Sequence, residues 1–236
     1  YNLMHETLNV LTCIDPSDTM QAIGEMVEVL QSHSQDPQFD ESIYNIINKI
    51  SWSTGAVSGA IPKAQEKSFI LSILMTLLTL FEAREATEDK AVIGSGVMFI
   101  CSQYPRFLTS NYSVLKVIVS KLVEFMTDEF EGVKQMAVSA FKTIAEKCKK
   151  SFIATPGQNE SLFADVVSKI PTIAPALESE DPMLCIKFYD ALSIIISAFS
   201  RESLKVEAVK ELMVHPNEQW GYFAANFNVA DEESVA

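Results

Sequence analysis

The sequence predicts an all-α fold, an α-solenoid of about five stacked helical hairpins, and three observations lead to it. Apolar residues recur with a 3.6-residue period in almost every segment, and no convincing alternating strand is present. The stretch LSILMTLLTLFE, Leu71 to Glu82, returns as LKVIVSKLVEFM, Leu115 to Met126, at an offset of 44 residues. That offset pairs Leu71 with Leu115, Leu74 with Ile118, Leu78 with Leu122 and Phe81 with Phe125, and then Lys90 with Lys134, Val97 with Phe141 and Ile100 with Ile144 in the helices that follow. A helical hairpin recurring every ~40–47 residues is the mark of HEAT or armadillo arrays. One hairpin cannot bury its apolar face alone, so neighbours must stack.

Ten helices are predicted in a single solenoid segment spanning residues 1–236. The first, Tyr1 to Thr12, begins inside a helical pattern without an initiator methionine, so the chain is expected to be a piece of a longer protein. Pro16 to His33 follows Asp15, a capping residue before a proline at the first helical position. Ser34 to Asp40 reads as an exposed loop. Within Glu41 to Gly59, Gly55 and Gly59 stand four apart and should admit a neighbouring helix at close range. Gln65 to Arg84 and Asp89 to Gln103 form one copy of the repeated hairpin; Phe107 to Thr127 and Glu131 to Ser151 form the next. The basic run Lys147 to Lys150 opposes the negative pole of its helix. TPGQNE, Thr155 to Glu160, reads as a second loop. Pro171 and Pro175 should kink or split the helix Leu162 to Glu178. Pro182 to Ser200 repeats the Asp-Pro start at Asp181, and Ser203 to Phe227 is the tenth helix.

Composition narrows the function classes. Lys and Arg total 18 against 31 Asp and Glu, a formal charge of −13, which disfavours phosphate neutralisation and hence direct nucleic-acid binding. A basic protein partner fits such a surface better. Cys13, Cys101, Cys148 and Cys185 form no CxxC and are expected to be reduced, buried hydrophobes of a nuclear or cytosolic protein. The longest apolar run, Phe69 to Phe81, is 13 residues and predicts no membrane span. His5, His33 and His215 share no helix face with another ligand type, and neither HExxH, GxSxG nor a paired-carboxylate motif occurs. Neither a metal, a cofactor nor a catalytic role is expected. GSG at Gly94 to Gly96 is too short for a phosphate loop.

The repeated helices carry more apolar surface than a core-facing stripe needs. At 100° per residue the apolar arc of Leu71 to Glu82 covers roughly 240°, against the ~100° stripe of an ordinary surface helix. Leu71, Leu74, Met75 and Leu78 are expected as the core stripe, with Ile70, Ile73, Leu77 and Phe81 as an added flank. In the second helix Leu115, Ile118, Val119 and Leu122 make the stripe, and Val114, Val117 and Phe125 the flank, with Lys121 set among them. Two explanations compete. Lateral packing between adjacent repeats demands a wide face of every helix, and periodicity alone favours it. The other is a groove for an apolar ligand; a structural scaffold without such a groove should have Ile73, Leu77 and Phe81 fully packed inside the stack.

Short words in order across the chain add a resemblance. QYPRFL (Gln103 to Leu108), EFM (Glu124 to Met126), GAVSGA (Gly55 to Ala60), ETL with LT (Glu6 to Thr12) and AEKCKKSF (Ala145 to Phe152) resemble the exportins, nuclear export receptors of the importin-β (karyopherin) family. The resemblance runs from Tyr1 to about Trp220 and is strongest from Glu66 to Phe152. It implies the central part of a long ring of HEAT repeats, with a hydrophobic groove for leucine-rich nuclear export signals within residues 65–151, between the outer helices of two adjacent repeats. Cargo proteins carrying such signals, the GTP-bound Ran GTPase and nuclear pore proteins are the implied partners. Most Ran contacts are expected outside this segment, and the implied location is nucleus and cytoplasm, by shuttling through the pore. Carried over by position, the groove takes Leu74, Leu78 and Phe81 from the first helix and Val114, Ile118, Lys121, Glu124 and Phe125 from the second. Met98 and Met136 form its floor, and Lys90 lies near the rim. Lys121 matches a lysine that caps the narrow end and screens peptides. Val114 replaces a family aromatic, and Phe81 stands where many relatives have a reactive cysteine.

Overall fold

A computed structural model describes residues 2–36, 38–130, 132–153 and 161–226. Among them are thirteen helices and no strand: α1 (Asn2–Ile14), α2 (Pro16–Ser32), α3 (Glu41–Ala56), α4 (Lys63–Ala83), α5 (Thr87–Gln103), α6 (Pro105–Ser110), α7 (Tyr112–Phe125), α8 (Val133–Ile153), α9 (Leu162–Val167), α10 (Ile170–Glu178), α11 (Pro182–Ile196), α12 (Glu202–Leu212) and α13 (Val214–Asn226). The all-α solenoid is what the 3.6-residue period predicts. The TPGQNE loop and the end of the tenth helix lie outside the described residues.

Hairpins pair α2 with α3, α4 with α5, α7 with α8 and α10 with α11. The second helices of successive hairpins, α3, α5, α8 and α11, then pack on one another to form a continuous layer. The offset seen in the sequence reappears in the polar contacts between repeats. Gln31 Nε2 donates to Thr76 Oγ1 (3.2 Å), Tyr44 OH to Asp89 Oδ1 (2.7 Å) and Ser58 Oγ to the Gln103 carbonyl (2.8 Å), each pair 45 residues apart. Lys142 and Asp190 form an ion pair of 2.7 Å between α8 and α11.

Capping residues act as expected: Asp15 accepts from the Ser17 and Asp18 amides, and Asp181 from the Met183 amide. Four features differ from the expectation, each for a local reason. The predicted helix Phe107 to Thr127 is two helices, because Asn111 leaves helical geometry and its Nδ2 donates to the Phe107 carbonyl at 2.8 Å. The proline-containing helix splits after Val167, since Pro171 has no N–H for the Val167 carbonyl, while Pro175 is accommodated inside α10. The last predicted helix breaks at Met213 into α12 and α13. Gly59 falls beyond the end of α3 with φ +83°, a turn position rather than a packing one; only Gly55 provides close approach, since a Cβ there would lie 2.5 Å from Phe99 Cε1. Cys13 is exposed, whereas the other three cysteines are buried as expected. α4 is also long and apolar enough, over all 21 residues, to meet the length and composition of a membrane span, which the 13-residue run understated. Here six of its side chains are buried in the helical stack.

The turn from α4 to α5 is anchored by a buried polar cluster. Arg84 and Asp89 are 5% and 0% exposed. Arg84 donates to the carbonyls of Asp36, His33 (3.2 Å) and Ser34 (2.7 Å), and its guanidinium lies 3.8 Å from the Phe39 ring centroid. Asp89 accepts from Tyr44 OH at 2.7 Å and from the Phe39 amide at 3.4 Å, 3.9 Å from Arg84 Nη1. Burial, reinforced by the Asp89 hydrogen bond and charge, raises the Tyr44 phenol above its ordinary range. The cluster ties the connection between α2 and α3 to the C-terminal end of α4.

Candidate functional site

The three sides of α4 have different neighbours, and this decides which apolar residues are core. Ile70, Ile73, Leu74, Leu77, Leu80 and Phe81 are buried. Thr76 marks the side toward α2, through its bond from Gln31. Phe81 and Glu82 mark the side toward α7: the Phe81 and Phe125 rings meet edge to face at 5.2 Å, and Lys121 pairs with Glu82. The expected stripe and flank of this helix are therefore exchanged. Ile70, Ile73 and Leu77 are core, Met75 is 59% exposed, and Leu71 and Leu78 are half-buried. In α7 the expected stripe is buried as predicted, Val114 is half-buried and Val117 is 50% exposed, but Phe125 of the flank is 2% exposed.

At 100° per residue, Leu71, Leu74, Leu78, Phe81 and Glu82 share the side of α4 turned to α7, and Val114, Val117, Lys121 and Phe125 share the side of α7 turned to α4. The two helices enclose a cleft that is open along Leu71, Leu78, Val114 and Val117 and closed at its C-terminal end. Lys121 is the closure: Nζ donates to Glu82 and to Glu124 (2.9 Å) and sits 5.3 Å from the Phe81 centroid. Lys90 Nζ lies 5.7 Å from the same ring. Burial works against the Lys121 ammonium, but its hydrogen bonds to Glu82 and Glu124 and their charges outweigh that and hold it above the usual lysine range. A raised folded pKa contributes stability below the unfolded value and loses it as pH rises through the folded one, so this clasp persists through neutral pH.

The structure divides the residues named from the sequence. Leu78, Val114 and Lys121 are half-buried and face one another across the cleft, with Glu124 exposed beside them. Leu74, Phe81, Ile118 and Phe125 are present but covered, each no more than 5% exposed. Met98 and Met136 meet elsewhere, in a pocket of about 310 Å³ lined from α5 and α8 together with Phe99 and Gln135. Sequence reasoning missed Glu82 as the partner of Lys121. No local signal identifies it, because the pair spans two repeats. Among the described residues no group of three or more His, Cys, Asp or Glu could hold a metal ion.

Comparison with known proteins agrees with this architecture. The family model described as "CRM1 / Exportin repeat 3" matches residues 41–88, from α3 into α5. Protein EXPORTIN 1A of Arabidopsis thaliana is 33% identical over 221 residues, 93% of this chain and 20% of the relative. Exportin-1 of Schizosaccharomyces pombe is 33% identical over the same length, and that of Drosophila melanogaster 32% over 220 residues. The chain spans about a fifth of the length of the curated relatives it matches. With its two-layered stack of helical hairpins, the chain is a relative of exportin-1 across 93% of its own length.

Proposed function

We propose that this chain is the segment of a nuclear export receptor that binds leucine-rich export signals in the cleft between α4 and α7. The supporting observation is the apolar strip of Leu71, Leu78, Val114 and Val117, left accessible between two repeats and ended by a charged clasp. A signal would lie along the cleft as an amphipathic segment with its spaced Leu, Ile, Val or Phe anchors inward. Four anchors contribute some 6–12 kcal/mol gross, which the costs of association and of ordering the peptide largely offset. Binding by the cleft alone is therefore weak, and a second ligand must supply the remainder. The GTP-bound Ran GTPase fills that role, mostly through contacts outside this segment, and linkage makes the assistance reciprocal. The receptor acts by binding, without catalysis, and moves between nucleus and cytoplasm through contacts with nuclear pore proteins.

The test is the affinity of a fluorescent leucine-rich peptide for the full-length protein with and without Ran-GTP. Ran-GTP should tighten binding by roughly 5–150-fold, the usual range of coupling between sites. A second reading, a HEAT scaffold with no peptide site, draws on the burial of Ile73, Leu77 and Phe81 at 3%, 1% and 5% exposure. Absence of peptide binding in both conditions favours it.

Lys121 should govern selectivity more than folding. Its side chain is 21% exposed and its two partners are more than half exposed, so the clasp contributes about 1 kcal/mol or less after screening. Lys121→Ala should open the closed end and admit imperfect signals. A panel of strong and weak peptides bound with the same relative affinities by mutant and wild type would refute the assignment.

A further inference from the structure

We propose that Gly94 sets the aperture of the α4–α7 cleft, by providing a seat for the Phe125 ring that holds the cleft's C-terminal end shut. This rests on reading the cleft as the signal site. Gly94 lies inside α5, where glycine is a poor helix former. Its φ is not positive, so no backbone conformation calls for glycine there. Space does: a Cβ at Gly94 would stand 3.0 Å from Phe125 Cζ and 3.1 Å from Cε1. By contrast, a Cβ at Gly24 of α2 would meet nothing within 4 Å. The missing methyl at 94 is occupied by the ring.

Seated there, Phe125 is 2% exposed, carries the edge-to-face contact with Phe81 and lies beneath the Lys121 clasp. The seated ring occupies the volume that an anchor side chain would need at this end. A peptide with a bulky last anchor can bind only when the ring has left its seat, and the seated population lowers its apparent affinity in proportion. A β-carbon at 94 strains the seated arrangement and leaves the unseated one untouched, so it shifts the population toward the open cleft. The same substitution favours the α5 helix in both states.

Two measurements on the full-length protein test this. Gly94→Ala should tighten binding of a four-leucine peptide by about three- to tenfold by raising the competent fraction. The gain should vanish in a Phe125→Leu background, where no ring needs the seat; a general stabilisation of α5 would persist there. Independently of any peptide, 4-fluorophenylalanine at position 125 should show its ¹⁹F resonance moving toward the solvent-exposed value in Gly94→Ala and in Gly94→Ser. If wild type binds no peptide but the resonance moves, the signal-site reading fails and the seat stands. An unmoved resonance, or unchanged or weaker peptide binding by Gly94→Ala alongside a binding wild type, overturns the proposal.

Discussion

Arg84→Ala is expected to lower folding stability by about 3–5 kcal/mol, as removal of one partner from a buried charged cluster does. The direct Arg84–Asp89 approach of 3.9 Å is long, so the loss comes mainly from what the guanidinium holds. Three carbonyls in the connection after α2 lose their donor, the Phe39 ring loses its cation, and a fully buried carboxylate keeps only Tyr44 OH and the Phe39 amide. Arg84→Lys should recover little, because an ammonium cannot reach three carbonyls from one planar fork. Asp89→Asn should be milder, since an amide still accepts from Tyr44. Urea denaturation of the single and double variants checks the scheme. A loss under ~1 kcal/mol for Arg84→Ala would mean that the connection folds without its anchor.

The second large effect is a gain of reactivity. An α,β-unsaturated lactone that alkylates groove cysteines in exportin relatives should form no cleft adduct with this protein, because position 81 is a phenylalanine. Its buried thiols are also poor nucleophiles: burial pushes Cys101 up to about 12, Cys185 is pushed to about 12 by burial and Glu178, and burial raises Cys148. Phe81→Cys should create an adduct. The new thiol would lie near the ammonium groups of Lys90 and Lys121, now 5.7 Å and 5.3 Å from the ring centroid, and cations favour the thiolate. Intact mass followed by peptide mapping separates a cleft adduct from modification of exposed Cys13. If Phe81→Cys binds a signal peptide yet stays unmodified, position 81 is not in the cleft.

The helices and their pairing were legible because periodicity and a 44-residue offset are properties of the local chain. The inversion on α4 shows where that kind of signal ends. An apolar arc of roughly 240° admits more than one core direction, and only the placement of α2 and α7 on either side selects Ile70, Ile73 and Leu77 over Leu71 and Met75. The Arg84 cluster was illegible for a similar reason. Its bonds reach back 48 to 51 residues, and an arginine just past a helix end looks in sequence like any solvated charge. Glu82 illustrates both limits, being an ordinary acidic residue until a second repeat brings Lys121 to it.

The unequal bonding of the two layers has a mechanical consequence. Helices α3, α5, α8 and α11 pack directly on one another, whereas α4 and α7 are joined by side chains gathered at one end. A beam so built is stiff along its continuous layer and compliant along the other, so its neutral axis of bending lies in the α3–α5–α8–α11 layer. Flexing must then appear as widening or narrowing of the gaps on the compliant side, much as a bellows moves. A load applied several repeats away would reach the α4–α7 gap as a change in width. Conversely, a wedge placed in that gap would alter the pitch of everything attached to it.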